Sequence, residues 1–130
     1  MKPTILNPPG LATPRGYSHG VKGTGEVLFV AGQIGWDANG KMVARDLVPQ
    51  FAQALDNVLA VVSAAGGEAD SIARFVLYVT DKQAYRAAAK PIGEAYRSRM
   101  GRHFPAMTLV EVKALLEDDA MIEIEAVALV

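Results

Sequence analysis

Residues 121–128 read Met-Ile-Glu-Ile-Glu-Ala-Val-Ala, and this alternation constrains the chain more tightly than any other feature. A period of two puts Ile122, Ile124, Ala126 and Ala128 on one face of a strand, with Met121, Glu123, Glu125 and Val127 on the other. The first face belongs to a core. The second mixes two carboxylates with Met and Val. It fits either an edge strand with one wet face or a sheet face covered by something that accepts acids.

Upstream, the apolar period changes to that of a helix. Asp46 stands as an N-cap for a helix running to about Ala65, in which Leu47, Phe51, Leu55, Val58, Leu59 and Val62 form one apolar stripe. Gly66-Gly67 supplies its left-handed stop. Phe75 to Val79 is apolar on both faces, which predicts a central strand covered on both sides. A second helical stretch runs from Lys82 to about Met100 and must break or kink near Ala88–Lys90, because Pro91 lacks an amide hydrogen and clashes one turn back.

Met107–Val112 and Ala120–Leu129 complete the chain as strands joined by the Lys113–Asp119 loop. At the other end, Tyr17–Lys22 and Glu26–Ala31 predict a hairpin closed by Gly23-Thr24-Gly25. No helix follows Gly20, Gly23 and Gly25, so they read as turn residues and not as a phosphate cradle. Residues 1–15, with Pro3, Pro8, Pro9, Gly10 and Pro14, predict an irregular arm. Gly32–Arg45 reads as a loop with a turn at Asp37-Ala38-Asn39-Gly40. The order β-β-α-β-α-β-β predicts an α+β fold, a mixed sheet with two helical segments on one face.

Composition narrows the function classes. The 130 residues read as a single domain, 1–130, and 51% hydrophobic content suits an oligomer that hides part of its surface. A formal net charge of −1 gives no footprint for nucleic acid or an acidic membrane. The absence of cysteine rules out disulfides, thiolate nucleophiles and Cys-based metal sites. His19 and His103 lack metal-ligand spacing, so no metal is expected. No segment approaches the ~20 apolar residues of a membrane span, and no signal-peptide core follows Met1-Lys2-Pro3, so a cytoplasmic location is expected.

A series of short segments is carried in order along the chain: Tyr17-Ser18-His19-Gly20, Val30-Ala31-Gly32-Gln33-Ile34, Gln53-Ala54-Leu55-Asp56-Asn57-Val58 and Ala64-Ala65-Gly66-Gly67. Val79-Thr80-Asp81, Phe104-Pro105-Ala106, Val110-Glu111-Val112 and the Ile-Glu-Ile-Glu-Ala terminus follow. Each is weak alone, but their order and spacing resemble the RidA (YjgF-type) family of small trimeric enamine/imine deaminases over nearly the whole chain. The resemblance implies a chorismate-mutase-like homotrimer: three sheets form a central barrel, helices lie outside, and small-molecule clefts open at the subunit interfaces. No cofactor is implied.

Hydrolysis of an enamine or imine requires tautomerisation, attack of water on the C=N carbon and release of ammonia. A carboxylate can orient and deprotonate that water, and Glu123 matches the family's water-activating Glu. Tyr17 matches a cleft-lining Tyr, and the backbone at Ala31-Gly32 matches a Ser-Gly segment whose hydroxyl is absent here. Met107 stands where the family carries the Arg that forks onto the substrate's carboxylate, and Leu109 where Cys is frequent. Lys90 falls roughly where Asn is common. Losing a charge-assisted bidentate contact removes about 1.5–3 kcal/mol of binding. The resemblance therefore implies a kept water-activating end and a rebuilt, apolar carboxylate end, with a substrate other than 2-aminoacrylate. An aminomuconate-like intermediate is compatible.

Several residues keep two readings. His19 is a cleft base or a rim histidine, and His103 suits a solvent-exposed loop. Trp36 is an aromatic wall of the cleft or an interface cover. Glu111 and Glu125 are cleft groups or salt-bridge partners of Lys113 and the arginines. Arg97, Arg99 and Arg102 complete a helix macrodipole or supply an anion contact. A non-catalytic metabolite-binding trimer is the alternative to a deaminase, and the ribonuclease activity sometimes attached to the family ranks last, for want of a basic, aromatic surface.

Overall fold

The computed structural model describes residues 2–130. Its elements are β1 (Thr4–Leu6), β2 (Gly20–Lys22), β3 (Val27–Gln33), α1 (Leu47–Ala64), β4 (Ile72–Val79), α2 (Lys82–Ala87), α3 (Ala89–Met100), β5 (Ala106–Glu111) and β6 (Ile122–Leu129). The main sheet has the order β3-β6-β4-β5. β4 and β5 run parallel, whereas β6 is antiparallel to both its neighbours. This is a mixed sheet, with α1 packed on β6, β3 and α3.

The C-terminal alternation is realised residue by residue. Ile122, Ile124, Ala126 and Ala128 are buried, and Glu123, Glu125 and Val127 are only half-buried. The stripe of α1 meets this core through Phe51, Leu55, Val58 and Val62, all but excluded from solvent. By length and composition alone α1 is apolar enough to cross a membrane, contrary to the expectation that no segment approaches such a span. In the fold its stripe is core. Gly66, at φ +86°, follows its end, and Asp46 occupies the N-cap position in extended backbone without a side-chain capping bond.

Gln50 lies on the same helix and is fully buried. Its amide donates to the carbonyls of Ala44 and Asp119 at 3.0 and 2.9 Å, and its Oε1 accepts from Met121 N at 2.7 Å. One side chain thus fixes two long loops to the entrance of β6.

The helical break falls at Ala88, between α2 and α3. Pro91 becomes the third residue of α3, inside the first turn where its missing N–H costs no helical bond. Asp81 caps α2 by accepting from Gln83 N and Ala84 N, each at 3.0 Å, and Glu111 accepts from Lys82 N at 2.9 Å. Glu111 is therefore a helix-end acceptor and not a salt-bridge partner of Lys113.

Two expectations are corrected. The Tyr17–Lys22/Glu26–Ala31 hairpin does not form: β2 pairs with β1, and β3 pairs with β6. Glu26 and Val130 exchange backbone bonds of 2.8 and 2.9 Å, so the chain leaves Gly23–Gly25 towards its own C-terminus. The irregular arm contains a strand, because the β-prone Thr4-Ile5-Leu6 between Pro3 and Asn7 finds Gly20–Lys22 as partner. Within the chain the helices cover one face of β4, and Val76 and Tyr78 are half-buried on the other.

Candidate functional site

On that open face, β3 carries a bulge. Val30 is opposite Ala126 and Gln33 opposite Ile124, so Ala31 and Gly32 together span the one residue Glu125. The irregularity brings the backbone of Gly32 against the neighbouring carboxylate. A Cβ at Gly32 would lie 2.1 Å from Glu123 Oε2. The Glu123 carboxylate therefore keeps this position only while residue 32 has no side chain.

The two carboxylates of β6 have different surroundings. The Tyr78 hydroxyl donates to Glu125. That bond, together with burial and the nearby charges of Glu125 and Glu123, raises the Tyr78 phenol above its ordinary value, with Arg74 opposing. Glu125 is thus held by a tyrosine and not by Lys113 or an arginine. Glu123 takes part in no salt bridge among the described residues. Tyr78 sits inside an apolar run that masks its role, which appears only when the β4–β6 register sets it opposite Glu123.

Met107 faces the other way. In the β4–β5 register Met107 pairs with Phe75 and Leu109 with Leu77, both core-facing residues. Glu123 and Glu125 pair with Tyr78 and Val76 on the open face. The sheet itself therefore separates Met107 and Leu109 from Glu123 within one chain.

Met107 lines a cavity of about 300 Å³ between the sheet and the helices. Its floor is apolar, formed by Phe51, Leu55, Phe75, Leu77, Ile92 and Ile124. Tyr85, Gly93 and Arg97 line it from α2 and α3, and Gly16 from the N-terminal segment. Burial raises the Tyr85 phenol, and raises that of neighbouring Tyr96 further. Tyr96 donates to His103 O at 2.7 Å and stacks on Phe104, making a rigid wall behind the cavity.

A strap carries the Tyr17 segment to this side. Ser18, buried, donates its hydroxyl to Phe104 O and its amide to Pro105 O at 3.0 Å. Tyr17 and His19 meet edge to face at 5.4 Å, and His19 Nε2 lies 2.7 Å from Ala12 O. Neither is among the cavity-lining residues. Trp36 is elsewhere, bridged to Met42 and lining a separate hollow with Lys41, Arg45 and Asp118. His103 is tied to Ile72 O at 2.7 Å. Arg99 pairs with Asp56 at 2.6 Å, and Lys90 is exposed in the first turn of α3. Among the described residues no cluster of acids and histidines could hold a metal ion.

Comparison with known proteins yields consistent matches. The family model described as Endoribonuclease L-PSP matches residues 9–130. The 2-iminobutanoate/2-iminopropanoate deaminase of Salmonella typhimurium is 36% identical over 128 residues, covering 98% of each chain. Among solved structures, a conserved Rid-family protein from Yersinia pestis matches with a TM-score of 0.90 and 32% identity over the full length of both chains. TdcF of E. coli, solved with bound serine, matches with a TM-score of 0.72 and 29% identity over 97% of each chain. The mixed sheet with helices on one face is the fold of these proteins.

Proposed function

Because the chain belongs to the endoribonuclease L-PSP (YjgF/RidA) family, we propose that it hydrolyses an imine, or an enamine after tautomerisation, at clefts between the subunits of a homotrimer. Glu123 takes a proton from water as the oxygen attacks the C=N carbon. The nitrogen is protonated, the C–N bond breaks, and ammonia leaves behind a carbonyl. The protein works in the cytoplasm and needs no cofactor for this chemistry.

The observation that carries the reading is the position of Glu123. It stands half-buried on an open sheet face, against Gly32 and outside any salt bridge among the described residues. A carboxylate that only completed a wet face would gain nothing from a backbone bulge shaped around it. The face around it carries Phe29, which is 77% exposed, and Val27. Such a surface calls for a partner of its own kind. Because Met107 and Glu123 lie on opposite faces of one sheet, a cleft that uses both needs residues from two copies.

The relative from Salmonella is named for small imino acids, and TdcF was solved with serine. Here Met107, Leu109 and Ala31 offer no charged group to a small substrate's carboxylate, so the preferred substrate is a larger and less polar imine than 2-aminoacrylate.

Replacing the base tests the assignment. Glu123→Gln keeps the length and hydrogen-bonding capacity of the side chain but removes the base, and should slow imine hydrolysis by about 10²–10⁴-fold. The variant should assemble as the wild type does. Unchanged ammonia release from amino-acid-oxidase-generated imines would remove Glu123 from the mechanism, and collapse of the assembly would make it an interface group instead.

A further inference from the structure

The cavity that contains Met107 has a single charged group on its lining, Arg97. Its neighbours explain why it is there. Gly93 lies one turn earlier on α3, in a helix interior where glycine is disfavoured relative to alanine. Its backbone is not left-handed, so conformation does not call for glycine. What lies over it is the guanidinium: a Cβ at Gly93 would stand 3.1 Å from Arg97 Nη1 and 3.6 Å from Nη2, so a side chain there would displace Arg97 from this position. The missing side chain lets the guanidinium lie back across its own helix at the cavity's rim.

Arg97 is also uncommitted. Arg99, two residues on, is paired with Asp56, whereas Arg97 is in no salt bridge among the described residues. Gly16, Ala89 and Arg97 are exposed, and the floor residues Phe75, Leu77 and Ile124 are buried, so the charge sits at the entrance and the apolar surface lies deep. Tyr85 adds a phenol at the same lining. The hydroxyls of Tyr78 and Tyr96 are engaged by Glu125 and His103, and that of Tyr85 has no partner among the described residues.

We propose that this cavity recognises a carboxylate with an apolar body about the size of an aromatic ring, Arg97 pairing with the carboxylate at the rim and Tyr85 donating a hydrogen bond to it. A volume of about 300 Å³ lies at the lower end of the range for small-molecule sites, which suits such a body. The charge absent from Met107 on β5 is thereby supplied from α3. The ligand turns accordingly: its carboxylate is outermost and its body reaches Phe75 and Ile124. This deepens the functional reading and rests on the Met107 end of the cleft being where substrate is recognised.

Titration calorimetry on the full chain tests it with three probes: hydrocinnamate, its neutral amide hydrocinnamamide, and acetate. Hydrocinnamate should bind at least about tenfold more tightly than either of the others, because only it has both the charge and the body. Arg97→Gln should weaken hydrocinnamate by about ten- to hundredfold and leave the amide unchanged. Gly93→Leu should abolish binding of both, by filling the rim. Leucine is the better helix former, so its melting temperature should be no lower than that of the wild type. Equal binding of acid and amide by the wild type, an unaltered hydrocinnamate affinity in Arg97→Gln, or an unaltered affinity in Gly93→Leu would each overturn the proposal. Catalysis fails separately. Arg97-dependent binding together with hydrolysis that ignores Glu123→Gln would leave the recognition site standing and remove the deaminase mechanism.

Discussion

The Glu123 carboxylate occupies the volume that a side chain at Gly32 would fill, its Cδ only 2.7 Å from where a Cβ would stand. Two adjacent strands supply the pair, and the bulge on β3 sets their approach. A bulge re-aims the backbone beside a site at the cost of ladder regularity. On this sheet it shapes the wall against which one acid is held, while the next acid, Glu125, is held by a tyrosine.

Gly32→Ala should therefore behave as a displaced-base variant. The inserted methyl would meet the far end of a flexible side chain and not backbone, so Glu123 swings away and the fold survives. Imine hydrolysis should fall by about 10²-fold or more, within the range for a lost general base. The melting temperature should stay close to that of the wild type. Full activity in Gly32→Ala would show that the observed position of Glu123 is not the working one.

The tyrosines predict a pH dependence whose sign follows from their direction of shift. Tyr78 is raised chiefly by its bond to Glu125, Tyr85 by burial, and Tyr96 by burial with Tyr85 adding. A folded-state value above the unfolded one, near 10, contributes stability that is fully present below pH 10. It is lost as pH rises through the folded values. Urea denaturation should show stability falling steeply above about pH 10, with phenolate absorbance appearing together with unfolding. Tyr78→Phe should flatten part of that fall. Gradual phenolate formation in a protein that stays folded, with the same pH profile in Tyr78→Phe, would contradict it.

How much of this was legible in the sequence depended on the kind of order involved. The face assignment of Ile122 to Ala128, the stripe of α1 and the break before Pro91 all follow from local periodicity and backbone chemistry, and they hold in the structure. Pairing partners are different. Gly20–Lys22 and Val27–Gln33 carry patterns that say which face is apolar but not which strand lies alongside. The short glycine-rich segment between them suggested a hairpin. What decided the matter was the chain's end, Val130, bonding to Glu26.

The candidate site shows the same limit. Met107 and Glu123 were brought together by resemblance, which names residues without stating their faces. Their separation appears only when Met107 is registered against Phe75 and Glu123 against Tyr78. Gly93 left no trace in the helical pattern, since a glycine in a helix is ordinarily read as a small penalty. Its meaning depends on Arg97 lying above it.

Assembly gives the last prediction. Phe29 pairs with Val127 across the β3–β6 ladder and is 77% exposed, on the face that also carries Glu123 and Glu125. Burying such a ring is worth about 1.5–3 kcal/mol, gained once per chain in a symmetric oligomer. Phe29→Asp replaces that gain with a carboxylate that must be desolvated next to two others, so the loss should exceed the burial term alone. Light scattering at micromolar concentration should show a trimer for the wild type and a monomer for the variant. Circular dichroism of the variant should be nearly unchanged, because Phe29 contributes nothing to the helix-side core. Imine hydrolysis should disappear with the trimer if the cleft is shared. A monomeric Phe29→Asp that remains active would place the whole site within one chain, against the separation of Met107 from Glu123 by the sheet.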